Sequence, residues 1–146
     1  MKGSSLLHPL HPALAHFPVA FWVGSSASDL IELATGNAAW WTVSRCAVAA
    51  GVIVGTVTLL AGALELWLRK LPTEAWRWAG LHAALTSTAL LCFMVSLSWR
   101  AAGPPPLAAV WVSALGSAMV IGGGFCGGTL VYGYGVGVSW RAGRPE

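Results

Sequence analysis

Long apolar stretches alternate along this chain with short polar or Gly/Pro-rich breaks. The stretches cover about 10–34, 43–68, 79–99 and 107–131. The breaks are Thr35-Gly36-Asn37, then Arg69-Lys70-Leu71-Pro72-Thr73-Glu74, then Gly103-Pro104-Pro105-Pro106. Crossing a hydrocarbon core of about 30 Å takes about 20 helical residues, so each stretch predicts one span. Backbone groups in lipid must pair within their own segment, which predicts helices. Barrel strands would alternate over about 10 residues, and these stretches do not. Short connections place neighbours side by side and antiparallel. The predicted fold is all-α: a single transmembrane domain, residues 1–146, built as an up-and-down bundle of four helices.

Composition narrows the class further. Apolar residues make up 56% of the 146 positions and charged residues only 9%. A small soluble domain must cover most of its surface with polar groups, about a quarter of them charged, and this chain lacks them. A soluble enzyme, a disordered tail and a nucleic-acid-binding domain are excluded. The net charge of +3 comes from eight basic residues that form no patch, so it marks the ends of spans and not a nucleic-acid partner. Cys46, Cys92 and Cys126 all lie inside apolar runs without a CxxC pair, as small core residues do. His8, Pro9, His11 and Pro12 interrupt any early apolar run, so the start does not read as a cleavable signal peptide.

Basic residues then predict an orientation. Lys2, Arg69, Lys70, Arg77, Arg141 and Arg144 fall on one side, and Arg45 and Arg100 on the other. That bias puts both termini and the middle loop in the cytoplasm, for a multi-pass protein of the inner membrane. Trp67, Trp76, Trp78 and Trp140 mark the same interface, with Trp40, Trp41 and Trp99 opposite. Trp22 and Trp111 lie deeper, where packing residues belong.

Ionisable groups inside a span are costly, so each marks a candidate site. His16 lies roughly 9 Å inside the first span and His82 roughly 7.5 Å inside the third. Glu65, four residues before Arg69, and Tyr132 with Tyr134 bring the other two helices to the same third of the bundle. Two imidazoles at equal depth in apolar surroundings are what a six-coordinate haem b requires. The favoured ligand pair is His16 with His82. His11 is the alternative, five residues from His16 and so on another face of the helix. Glu65 is placed to accept a hydrogen bond from a ligand imidazole. Arg69, Lys70 or Arg77 would pair with the propionates.

The same residue types allow other readings. A zinc or copper site on His16 and His82, with His11 and Glu65, has suitable donors but no local spacing such as HExxH. A proton or ion path would use the same groups. Gly123/Gly127, Gly124/Gly128 and Gly51/Gly55 have GxxxG spacing. That spacing favours close helix packing inside the bundle, and also allows homo- or hetero-oligomers through the fourth helix. Pro18 is expected to free the carbonyl of Leu14 and bend the first helix. No nucleophile–base set and no phosphate loop is present.

Several motifs together resemble a known family. His11-Pro12-Ala13-Leu14-Ala15-His16-Phe17-Pro18 opens the first span, with Asp29-Leu30 later in it. Leu64-Glu65-Leu66-Trp67 closes the second span and Leu81-His82-Ala83 opens the third. Gly127-Gly128-Thr129-Leu130-Val131-Tyr132 and Gly135-Val136-Gly137-Val138 end the chain. This set resembles the bacterial membrane family called domain of unknown function 2231 over nearly the whole length. The resemblance implies a four-helix protein of the cytoplasmic membrane, similar in plan to small b-type cytochromes. Two departures stand out: Glu65 replaces the family's usual Asp, and Gly133-Tyr134 stands where a basic residue and a His are common. Without that His, one haem is the most this chain is expected to hold.

The expected function is electron transfer by bound haem b, exchanging electrons with quinone or a larger redox complex. The alternatives are a cofactor-free accessory subunit of a membrane complex, and a metal- or proton-handling membrane protein.

Overall fold

The computed structural model describes residues 10–68, 70–100 and 106–137. Four helices account for nearly all of them. α1 runs Leu10–Thr35, α2 Ala39–Leu68, α3 Trp76–Arg100 and α4 Leu107–Gly128. A 3₁₀ turn, Thr73–Ala75, leads into α3, and a π turn, Thr129–Gly133, continues α4.

The helix ends follow from local chemistry. α1 closes with a Gly36 N–H bond to the Glu32 carbonyl (2.7 Å), Gly36 taking a φ of 67°. Asn37 then caps α2, its side-chain oxygen accepting from the Ala39 N–H at 3.0 Å. That cap is why α2 begins at residue 39, earlier than the apolar run at 43. After the π turn, Gly135 N–H bonds the Val131 carbonyl and Val136 N–H the Leu130 carbonyl, both at 3.0 Å. Each closure runs one residue longer than in an ordinary α-helical glycine cap, as the wider turn demands.

α2, α3 and α4 are long and apolar enough to cross a membrane. α1 matches them in length and carries the ionisable residues His11, His16, Asp29 and Glu32. α1 lies along α2 and α3 along α4, and the two hairpins thus formed share fewer contacts with each other.

Burial is inverted relative to a protein in water. Ser25, Ser44, Ser96, Ser113 and Asp29 are fully buried, whereas Ile53 is 68% and Phe125 71% exposed. Apolar side chains on the outside suit a hydrocarbon solvent, and helices packed through Ser and Gly approach closely. Trp111, expected inside, is 67% exposed and turned outward.

The central core joins the hairpins. Trp22 stacks on Phe93 with centroids 4.8 Å apart, among Val48, Ala89, Leu90 and Val120. The indole occupies the space that Cβ atoms at Gly51 and Gly55 would need, so this GxxxG pair receives a side chain from the neighbouring helix. Gly116, Gly123 and Gly127 are likewise taken up inside the bundle, against Phe93, Thr86 and His82. A Cβ at Gly124 would meet nothing within 4 Å.

Candidate functional site

His11 and His82 meet inside the bundle. Their ring centroids are 5.8 Å apart with the planes at 90°. His11 sits in the first turn of α1 and is held entirely by α2. Its backbone N–H donates to Glu65 Oε1 (3.1 Å), and its Nδ1 lies 2.9 Å from the Thr58 carbonyl oxygen. His82, on α3, is held by α4: its Nδ1 lies 2.8 Å from the Gly123 carbonyl oxygen. A carbonyl oxygen only accepts, so each Nδ1 carries the proton. Each Nε2 therefore keeps its lone pair. Nδ1–H donation to a carbonyl is how metal-ligating histidines are commonly oriented.

Small residues make room for both rings. Thr58, Gly62 and Glu65 fall on one face of α2 by helical spacing, and the His11 ring lies across it. A Cβ at Gly62 would come 2.7 Å from His11 Nδ1. One at Gly127 would come 3.2 Å from the His82 ring. The sequence reading did not single out Thr58 or Gly62, and took Gly123 only as half of a GxxxG pair. The spacing of Thr58, Gly62 and Glu65 was the available signal: two polar residues bracketing a glycine on one face of a span.

The other expected site residues are distributed differently. His16 is exposed on α1, turned about 140° from His11 by the five-residue separation. The structure thus pairs His82 with His11, the alternative partner, and does not bring His16 to it. Glu65 stands beside the site, but the imidazole role expected of it is filled by the Thr58 carbonyl. The carboxylate instead holds a backbone N–H at the start of α1. Tyr132 is 92% exposed, outside the bundle. Arg77 is exposed and stacks over Trp78, its guanidinium 5.0 Å from the ring centroid. Arg69 lies outside the described residues, as do Lys2, Arg141, Arg144 and Trp140.

A second polar centre occupies the opposite half of the bundle. Arg100 is 1% exposed and forms a bidentate pair with Asp29, which is fully buried. Its Nη1 donates to Asp29 Oδ1 (2.8 Å) and to Ser44 Oγ (2.9 Å). Its Nη2 donates to Asp29 Oδ2 and to Ser113 Oγ (3.2 Å), and its Nε to Ser96 Oγ (3.0 Å). Ser96 and Ser113 bond each other at 2.8 Å, and Ser44 donates to the Ser25 carbonyl at 3.1 Å. Five side chains from all four helices thus satisfy one another. The sequence reading placed Arg100 among the surface charges of that end and assigned Asp29 no role. Both are interior residues, and Arg45 is the exposed cation there.

Among the described residues, no three of His, Cys, Asp and Glu come together as metal donors. The His pair offers two ring nitrogens. Nearer the middle, Ser26 bonds Ser117 at 2.9 Å across the seam between α1 and α4.

Comparison with known proteins yields one likeness. A family model described as "Predicted membrane protein (DUF2231)" matches residues 7–140. No curated protein and no solved structure matches.

Proposed function

The chain belongs to the family of predicted membrane proteins called domain of unknown function 2231, and from that premise we propose that it is a small haem-b-binding electron-transfer protein of the bilayer. The residues that would hold the haem in this reading are His11 and His82. The observation that carries it is the T-shaped pair of imidazoles, one from each hairpin, both with Nδ1 committed to a backbone carbonyl.

The donor set favours haem over zinc or copper. A structural zinc site needs about four protein ligands and a catalytic one about three. A porphyrin brings four nitrogens of its own and asks the protein for two. When bound, haem would supply a reversible one-electron couple. The chain's own groups would set its properties. The Thr58 and Gly123 carbonyls fix the tautomer and raise the basicity of the two imidazoles. Glu65 holds the backbone that carries His11, and Gly62 and Gly127 leave room for the rings. Arg77, exposed at that end, would face a propionate.

In this proposal the His end lies toward the cytoplasm, as the basic residues predict, with the protein in the inner membrane. Quinone or a larger redox complex would be the electron partner.

The test is the visible spectrum of the purified full-length protein, oxidised and reduced, with pyridine extraction to identify the cofactor. A Soret band that shifts on reduction and is lost in His82→Ala supports the proposal. Protein expressed with ample haem that carries none, yet is folded and binds a membrane partner, overturns it in favour of a cofactor-free accessory subunit. Metal analysis of the same sample decides between haem and a bare metal ion.

A further inference from the structure

Three spanning segments end around one small cavity. α2 stops at Leu68, the segment containing α3 starts at Thr73, and the π turn stops at Gly133. Residues 70–72 and 134–137 line a cavity of about 250 Å³ between these ends. Folded chain holds both walls. On one side, Gly135 and Gly137 take φ of 65° and 82°, and the hydrogen bonds of residues 135 and 136 back to the π turn fix the path. On the other, Leu71 packs with Ala75, Ala79 and Leu130 in a cluster that includes Tyr134 and Val136.

The chemistry of the lining is one-sided. Among the described residues the cavity is lined by Lys70 and Tyr134 and by no acidic residue. Among the described residues the recorded ion pair is Arg100 with Asp29, at the opposite end, and none involves Lys70. Glu74, the acid nearest in sequence, is exposed on the 3₁₀ turn and is not part of the wall.

Depth selects the ligand. Where three apolar helices end, the hydrocarbon core gives way to headgroups. Trp67, 81% exposed, and Trp76, 50% exposed, stand at the same level, where amphipathic rings settle. A basic cavity between helix ends at that depth is suited to an anionic headgroup, and an ammonium with a hydroxyl donor matches phosphate oxygens. We propose that this cavity binds a phosphate group, with Lys70 and Tyr134 as its polar contacts, presented by the headgroup of an anionic phospholipid. This site is independent of any cofactor on His11 and His82.

The test uses the full chain in two arms. In one, protein in detergent is titrated with inorganic phosphate. In the other, it is reconstituted in vesicles of phosphatidylcholine alone or mixed with phosphatidylglycerol. The fluorescence of the tryptophans at this end reports both arms, and native mass spectrometry counts retained phospholipid. Wild type should retain phosphatidylglycerol, with apparent affinity falling roughly fivefold in Lys70→Gln. Lys70→Arg and Arg77→Gln should match wild type, which separates the cavity from general surface charge. A Lys70-dependent response to inorganic phosphate alone supports the cavity and assigns the free anion. Equal behaviour of wild type and Lys70→Gln in both arms, with helical content unchanged, overturns the proposal.

Discussion

Arg100 reaches Asp29 from the other hairpin and grips both carboxylate oxygens with its two terminal nitrogens. Removing one partner leaves an uncompensated charge among apolar helices, which costs about 3–5 kcal/mol. Arg100→Ala and Asp29→Ala should each lose about that much in denaturant unfolding from detergent micelles. The double change Asp29→Leu with Arg100→Met should lose less than either single change, because no charge is then left buried. Strict additivity of the singles in that cycle would show that the two side chains do not act as a pair.

Haem retention should discriminate sharply between two histidines in one motif. His11→Ala is expected to lose the haem signal along with His82→Ala, while His16→Ala keeps it, since His16 points away from the site. The measurement is the ratio of Soret to protein absorbance in purified variants. Loss in His16→Ala with retention in His11→Ala would return the ligand role to the residue the sequence reading favoured.

Gly62 tests the room around His11. A methyl group there would stand 2.7 Å from the ring nitrogen, so the imidazole or the helix must shift. Overpacking of this kind costs about 1–3 kcal/mol. Gly62→Ala should therefore lower both stability and haem retention, Gly127→Ala less so, and Gly124→Ala neither. Thermal melts and haem titrations on the three variants make the comparison.

Trp22 is buried with its indole nitrogen unpartnered. An N–H without an acceptor is a cost that phenylalanine does not carry. Trp22→Phe should then lose no more than about 1.5 kcal/mol, keeping the stack on Phe93. Trp22→Ala, which empties the space between Gly51 and Gly55, should lose about 3–5 kcal/mol. The same unfolding assay distinguishes a small loss from a large one.

The helices were legible because each apolar run is long and each break is chemically distinct. Asn37 and Gly36 in one break, and the glycines after Tyr134 in the tail, act locally, within a few residues of where they sit. The polar centres were harder. Depth along a helix is readable from sequence, which is why His82 and Glu65 are expected at one end of the bundle, where both lie beside His11. Rotation about the helix axis is not fixed by depth. His11 and His16 lie about 7.5 Å apart along the axis and about 140° apart in direction, and packing against Thr58 and Gly62 is what holds His11 in the bundle. Arg100 was misplaced for a related reason: an Arg at a helix end reads as an interface residue, yet its long side chain turns back into the bundle toward Asp29. Its serine partners were read as ordinary packing residues, because Ser at helical spacing carries no sign of what it bonds.

The ion pair also bears on the order in which the chain enters the bilayer. Asp29 precedes Arg100 by 71 positions, so during synthesis the carboxylate is made long before the group that neutralises it. α1 also carries His11, His16 and Glu32 beside Asp29. A chain truncated after α2 should accordingly leave α1 accessible at the membrane surface in protease or thiol-labelling assays. Extension through residue 100 should protect it. Such a result would mean that the first helix becomes a stable span only once the third has arrived.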